Sequence, residues 1–312
     1  MTSLSYTPDR PLRLGTRGSP LALAQARMTA EALCARHGLD PDAIATVIVQ
    51  TSGDRIQDRA LAEIGGKALW TKELDRALIE GQIDFAVHSM KDVETIRPVE
   101  ISVAAMLPRA DVRDRLIGAE SFEALPDNPV VGSSSPRRAA QVKRLRPDAQ
   151  VVLFRGNVAT RLAKLAAGEV HATLLAAAGL DRLGQPDVGT CIPLDVMLPA
   201  PSQGAVGIET LSDNGEMRAL LAGISDADTF DCVMAERGVL KGLGGTCHSP
   251  IAALGRLEDD SIRLAAEILS PDGRERVEDV RVITRRDSDA AEALGRSLLE
   301  RASMELRALF EA

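Results

Sequence analysis

Short apolar runs recur along the first two thirds of the chain, each handing over to a helical segment through a turn of Ser, Gly and charged residues. Leu12–Leu14 leads to Ser19-Pro20 and an Ala-rich helix over Leu21–Leu33; Pro129–Gly132 leads to Ser135-Pro136 and a helix through Leu145. A serine before proline marks a helix start, because its Oγ can accept an orphan backbone N–H and proline has none to satisfy. Ala45–Gln50, Ile83–Val87, Val151–Phe154 and Ala172–Ala176 read as further strands. Thr71 is expected to cap a helix Lys72–Glu80 that Gly81 stops, and residues 158–167 to form a helix stopped by Gly168. Such alternation predicts the α/β class, with parallel sheets and functional loops beyond the carboxyl ends of the strands.

The last third changes character. Ile251–Leu257, Ile262–Leu269 and Val277–Ile283 read as strands separated by turn signals at Asp259-Asp260 and Ser270-Pro271-Asp272-Gly273. Leu294, Leu298, Ala302, Leu306 and Phe310 line one face of a closing helix. This predicts a small α+β domain. No internal repeat is visible in the sequence.

Composition excludes several function classes. A net charge of −8 and an aromatic content of 2% argue against nucleic-acid binding, which uses basic faces and stacking aromatics. No apolar run approaches the length of a membrane span, and the first residues lack a signal core, so a cytoplasmic protein is expected. Cys34, Cys191, Cys232 and Cys247 are widely spaced, which argues against a disulfide framework or a metal cluster.

Against this acidic background, Arg137, Arg138, Lys143, Arg144, Arg146, Arg155, Arg161 and Lys164 are opposed within residues 132–167 only by Asp148. Arg137 and Arg138 fall in the first turn of a helix, where the dipole disfavours cations and favours anions. A bound, multiply charged anion resolves that conflict; a solvated basic face is the plainer alternative. Arg17 and Arg155 each occupy a strand-to-helix turn, suited to opposite walls of a cleft. Lys91 and Asp92 follow the strand Ile83–Val87, where a carboxylate could face a developing cation or simply cap a turn. His88, among apolar residues, reads as a satisfied, semi-buried histidine. Glycines at 53 and at 65–66 bracket a polar stretch that suits a mobile lid. Cys247 ends a Gly-rich loop, Gly242 to Pro250, and is either a presented thiol or an inert buried one.

Taken in order, LGTRGSPLAL, GGKALWTKEL, DFAVHSMKD, SSSPRR, RGNVATRL, AAAGLDRL, QGAVGIE and the CHSP loop resemble the porphobilinogen deaminase (hydroxymethylbilane synthase) family over nearly the whole chain. The resemblance implies two doubly wound domains like those of periplasmic binding proteins, 11–108 with 200–222 and 109–199, plus a small α+β domain, 223–312. It implies a transferase that condenses four porphobilinogen molecules head to tail, with loss of ammonia, on a dipyrromethane primer held by a thioether at Cys247. It further implies Asp92 as the catalytic residue, and Asp54, Lys91, Ser133, Ser135, Arg137 and Arg138 as cofactor ligands. Arg17, Ser19, Arg155, Arg161 and Arg182 match substrate-side groups, and Lys67 the lid. The expected partner is porphobilinogen, with no nucleic acid, metal or membrane, and the expected state is a monomer.

The chain departs from the family's usual pattern at several loops: Gly245-Thr246-Cys247 for Gly-Gly-Cys, Trp70 for Phe, Ala68 for Gly, Glu94 for Pro and Ser202 for Gly. A ligand-binding protein of the periplasmic type and a Schiff-base enzyme using Lys91 are the rival readings; the missing signal segment and the Cys247 domain weigh against the first.

Overall fold

The computed structural model describes residues 6–50, 71–245 and 249–310. Within them the chain forms two compact units: 6–50, 71–109 and 205–230 in the first; 110–204, 231–245 and 249–310 in the second.

The first unit is built on β1 (Leu12–Thr16), β2 (Ile44–Ile48), β3 (Phe85–Ser89), β4 (Ile101–Met106) and β10 (Val206–Leu211), in the order β2-β1-β3-β10-β4. β1 runs parallel to β2 and β3, whereas β10 lies antiparallel between β3 and β4. Leu12, Leu14, Phe85, Val87, Val206 and Ile208 pack on one face beneath Ala26 and Leu33, while Ile83, Ala86 and Ile101 pack on the other beneath Leu74 and Leu78. Helices therefore cover both faces, which is why these strands carry almost no polar alternation.

The second unit carries β5 (Asp114–Ile117), β6 (Val130–Gly132), β7 (Gln150–Val152), β8 (Ala172–Ala176) and β9 (Thr190–Cys191), in the order β7-β6-β8-β5-β9. β6 is parallel to β7 and β8, and β5 is antiparallel to β8 and β9. This repeats the first sheet's plan: a first strand flanked by its two successors, then one reversed strand, then an edge. The sequence shows no repeat, yet the topology does. The parallel sheets expected from the alternation are present, each with one reversed strand: β10, which returns from far along the chain, and β5, which directly precedes β6.

The same unit ends in an antiparallel sheet, β11 (Ile251–Glu258), β12 (Ser261–Leu269) and β13 (Arg276–Thr284), in chain order. Ile262, Leu264 and Ile268 on one face pack against Val239 and Leu243 of the helix Ala227–Leu243 and against Leu294 and Leu298 of the helix Ser288–Arg301. The closing helix expected as one piece is broken at Ala302, and a short helix Met304–Arg307 follows. Ser303 causes the break: its backbone N–H and hydroxyl donate to the Glu275 carboxylate at 2.8 and 2.6 Å, and its Oγ accepts from Leu306 N. Leu306 and Phe310 still reach the core.

Candidate functional site

In the first unit the functional candidates stand where β1 and β3 end. Arg17, half-buried, follows β1 directly, and Ser19 caps the helix Pro20–His37 by accepting from Ala22 N at 3.2 Å. β3 ends at Ser89, whose hydroxyl meets the buried side-chain amide of Gln25 on that helix at 2.8 Å. The chain then tightens into one turn, Met90–Asp92. Met90 N donates to Ala205 O at 3.1 Å, and its side chain is sealed against Gly207, where any Cβ would run into the sulfur. A fixed Met90 leaves Lys91 and Asp92 partly exposed at the carboxyl end of a parallel strand, the position at which α/β sheets present ligand-binding groups. Among the described residues no hydrogen-bond or ion-pair partner engages the Asp92 carboxylate, and the turn is not capped by a side chain. Asp92 is therefore not the turn-capping aspartate that the sequence also allowed. His88 is buried rather than semi-buried, with Nε2 3.1 Å from Glu209 Oε2, within ion-pair distance but outside hydrogen-bonding geometry.

In the second unit the candidates stand where the adjacent strands β7, β6 and β8 end. Ser135 caps the helix Pro136–Leu145, accepting from Arg138 N at 3.4 Å, and Ser133, buried, accepts from Ser135 N at 3.2 Å. Arg155 follows β7, and Arg161, on the next helix, donates to Gly156 O at 2.9 Å and to Ser134 Oγ at 3.3 Å. Arg161 thus ties the turn after β7 to the serine turn after β6. Arg182 ends the helix Ala177–Arg182 and donates to Gly204 O at 2.7 Å; burial lowers its pKa.

Arg137 and Arg138 are not on a solvated face. Their side chains are 3% and 8% exposed, and both grip Asp114, at 2.8 Å to Oδ2 and 2.7 Å to Oδ1. Gln203 adds a donor to Asp114 Oδ1 at 2.9 Å. Burial opposes ionisation of Asp114, and the two guanidinium charges override it, holding the carboxyl far below its ordinary range. Arg137 also donates to Gln141 Oε1, and Gln141 in turn to the buried Glu267 of β12 at 2.6 Å. Asp114 is not visible in the sequence as the counter-charge of Arg137 and Arg138, because it begins the reversed strand β5, outside residues 132–167. Arg137 Nε and Arg182 Nε are buried without an acceptor among the described residues, so this unit retains cationic donors that suit carboxylate oxygens.

Cys247, Asp54 and Lys67 lie outside the described residues, as do Ala68, Trp70 and Thr246. The flanks of Cys247 are ordered by local bonds: Gly244, in the left-handed region at φ 64°, donates to Lys241 O, and Leu269 N donates to Pro250 O. Among the described residues no group of His, Cys, Asp and Glu is arranged to hold a metal ion.

Residues 12–219 match the family described as "Porphobilinogen deaminase, dipyromethane cofactor binding domain", and residues 230–303 match "Porphobilinogen deaminase, C-terminal domain". The porphobilinogen deaminase of Sphingopyxis alaskensis is 56% identical over 310 residues, 97% of this chain and 98% of that protein. That of Paracoccus denitrificans is 51% identical over 271 residues, 86% and 87% of the two chains. Among solved structures, the L-cystine solute receptor of Neisseria gonorrhoeae is similar with a TM-score of 0.40 and 14% identity, covering 73% of this chain and 91% of that one. The VFT2 domain of Bordetella pertussis BvgS (double mutant) is similar with a TM-score of 0.39 and 15% identity, covering 69% and 85%. On the family matches and the identities to these two relatives, the chain belongs to the porphobilinogen deaminase family.

Proposed function

We infer that this chain condenses four porphobilinogen molecules head to tail, releasing ammonia, into the linear tetrapyrrole hydroxymethylbilane, a step of tetrapyrrole biosynthesis. The observation that carries the chemical reading is Asp92, a partly exposed carboxylate on a rigid turn at the end of β3 with no partner among the described residues.

The substrate's aminomethyl C–N bond breaks with its electron pair leaving on nitrogen, so positive charge develops on the remaining pyrrole. Asp92 stabilises that cation and accepts a hydrogen bond from the pyrrole N–H, the charge-reversed counterpart of an oxyanion hole. It can also hold the proton that is lost once the new carbon–carbon bond has formed. The dipyrromethane, joined to Cys247 by a thioether, supplies the pyrrole carbon on which the chain is built. Lys91 and Asp54 in one part of the chain, and Ser133, Ser135, Arg137 and Arg138 in the other, are assigned to its carboxylates and pyrroles. The leftover donor of Arg137 supports that assignment. Arg17 and Ser19 in the first unit, and Arg155, Arg161 and Arg182 in the second, are assigned to the acetate and propionate groups of substrate. Guanidinium groups match such carboxylates in charge and in forked geometry.

The division into 11–108 with 200–222, 109–199 and 223–312 accompanies this reading, and the three separate sheets support it. A cytoplasmic monomer is proposed. No helix among the described residues is long and apolar enough to cross a membrane, and the charge of −8 disfavours nucleic acid. Intact-mass measurement of the purified protein tests the whole reading. The expected result is a covalent increment of one dipyrromethane; active protein with the bare sequence mass would overturn it.

A further inference from the structure

Five residues beyond Asp92, Arg97 enters the interior of the first unit with a side chain only 9% exposed. All five guanidinium N–H donors are engaged. Nε donates to Glu209 Oε1 at 2.8 Å and Nη2 to Glu209 Oε2 at 2.9 Å. Nη2 also reaches Asp75 Oδ1 at 2.5 Å, and Nη1 reaches Glu94 Oε2 at 2.8 Å and Thr71 Oγ1 at 3.2 Å. Thr71 completes the ring by donating to Glu94 Oε2 at 2.7 Å.

These partners come from three elements. Thr71 and Asp75 belong to the start of the helix Lys72–Ile79, Glu209 to β10, and Glu94 to the strand-free segment two residues after Asp92. Glu209 is fully buried, and β10 also carries Gly207, on which Met90 is seated. The Asp92 turn is therefore anchored twice to one strand: upstream through Met90 on Gly207, and downstream through Glu94 and Arg97 on Glu209. A carboxylate that stabilises a developing cation acts only if it is preorganised, and a displacement of about 1 Å can cost about a hundredfold in rate.

We propose that Arg97, acting through Glu94, is a positioning residue that fixes the Asp92 turn against β10 during loss of the aminomethyl nitrogen. Neither side chain is assigned contact with substrate. A guanidinium suits the task where an ammonium does not, because three carboxylates must be held at once in fixed directions. The proposal rests on the assignment of Asp92 made above, and the test separates the two.

The experiment measures ammonia release from porphobilinogen by cofactor-loaded enzyme, with loading counted by intact mass so that rates are per loaded site. Glu94→Ala removes the link from the turn to Arg97 but leaves Asp75 and Glu209 paired with Arg97; Arg97→Lys keeps the charge and loses the fork. Both are expected to lose about tenfold in kcat with KM within about twofold of the parent. Glu94→Gln, whose amide oxygen still accepts from Arg97, is expected to recover at least about half of the lost kcat. A purely structural clamp would lower yield or thermal midpoint and leave kcat per loaded site intact. That result in Glu94→Ala and Arg97→Lys, with Asp92→Asn inactive in the same assay, overturns the proposal alone. Parental turnover in Asp92→Asn overturns the assignment of Asp92 and the proposal with it.

Discussion

Arg138 Nη2 lies 2.7 Å from Asp114 Oδ1, with the two side chains 8% and 1% exposed. Arg138 is thereby one of two buried cations held by Asp114, whatever else it binds. Removing it leaves Asp114 with Arg137, so the loss is on the scale of charge-assisted hydrogen bonds, about 1.5–3 kcal/mol. Arg138→Leu is expected to lose stability on that scale even in a Cys247→Ser background, where the proposed anchor is gone. Denaturant titration of the single and double variants checks this. An unchanged midpoint in the Cys247→Ser background would assign the arginine to ligand binding alone.

Asp92→Asn preserves size and most hydrogen bonding but removes the charge. Turnover is expected to fall by at least about a hundredfold, the scale for losing one preorganised electrostatic group, while the protein folds and accepts preformed cofactor. Asp92→Glu is expected to keep part of the activity. Single-turnover ammonia release is the readout, and a parental rate for Asp92→Asn would move the cation-stabilising role to another residue.

Cys247→Ser is expected to lack both the dipyrromethane mass and activity. Cys34→Ser, Cys191→Ser and Cys232→Ser are expected to retain both. Cys232 is buried, and burial raises the pKa of the Cys34 thiol, which disfavours the reactive thiolate. A pyrrole adduct on a peptide containing any of these three would refute the anchor.

Ser202 stands in the left-handed region at φ 65°, 1% exposed, with an Oγ that has no hydrogen-bond partner among the described residues. Its backbone N–H donates to Glu236 Oε2 at 2.6 Å, so the turn cannot relax without losing that bond. A glycine relieves the strained φ and removes the orphan hydroxyl. Ser202→Gly is expected to stabilise the protein by about 1 kcal/mol, seen as a higher denaturant midpoint at constant m.

Glu209 titrates in an informative window. Burial raises its pKa, but His88 and Arg97 outweigh burial and bring it from 4.5 to about 2. A depressed carboxyl contributes stability above its unfolded pKa, and that contribution disappears as pH falls through the folded value. Asp75, in the same cluster, runs the other way, since burial raises its pKa. The advantage of the parent protein over Glu209→Gln is therefore expected to be full at neutral pH and to shrink between about pH 4.5 and 2. Thermal midpoints of the two proteins across that range test it; a gap independent of pH would show that Glu209 contributes only as a hydrogen-bond acceptor.

The chain's local grammar was legible without coordinates. Ser19 and Ser135 do cap helices, the strands at 130–132 and 172–176 and the three late antiparallel strands lie where alternation and turn residues put them, and Asp92 and Arg155 do sit at strand ends. Caps, turns and periodicity act over a few residues, so a sequence window contains them whole. What only the tertiary structure decided are partnerships across long stretches of chain. Asp114 meets Arg137 and Arg138, Glu209 meets Arg97 and His88, and β10 inserts in reverse between β3 and β4. Thr71 lends its hydroxyl to Glu94 instead of to its own helix, and Glu275 holds Ser303 where one helix was expected to run on. The side-chain partnerships set a local preference against a buried or half-buried charge or hydroxyl that must find a partner, and where water is excluded that requirement outweighs the local one.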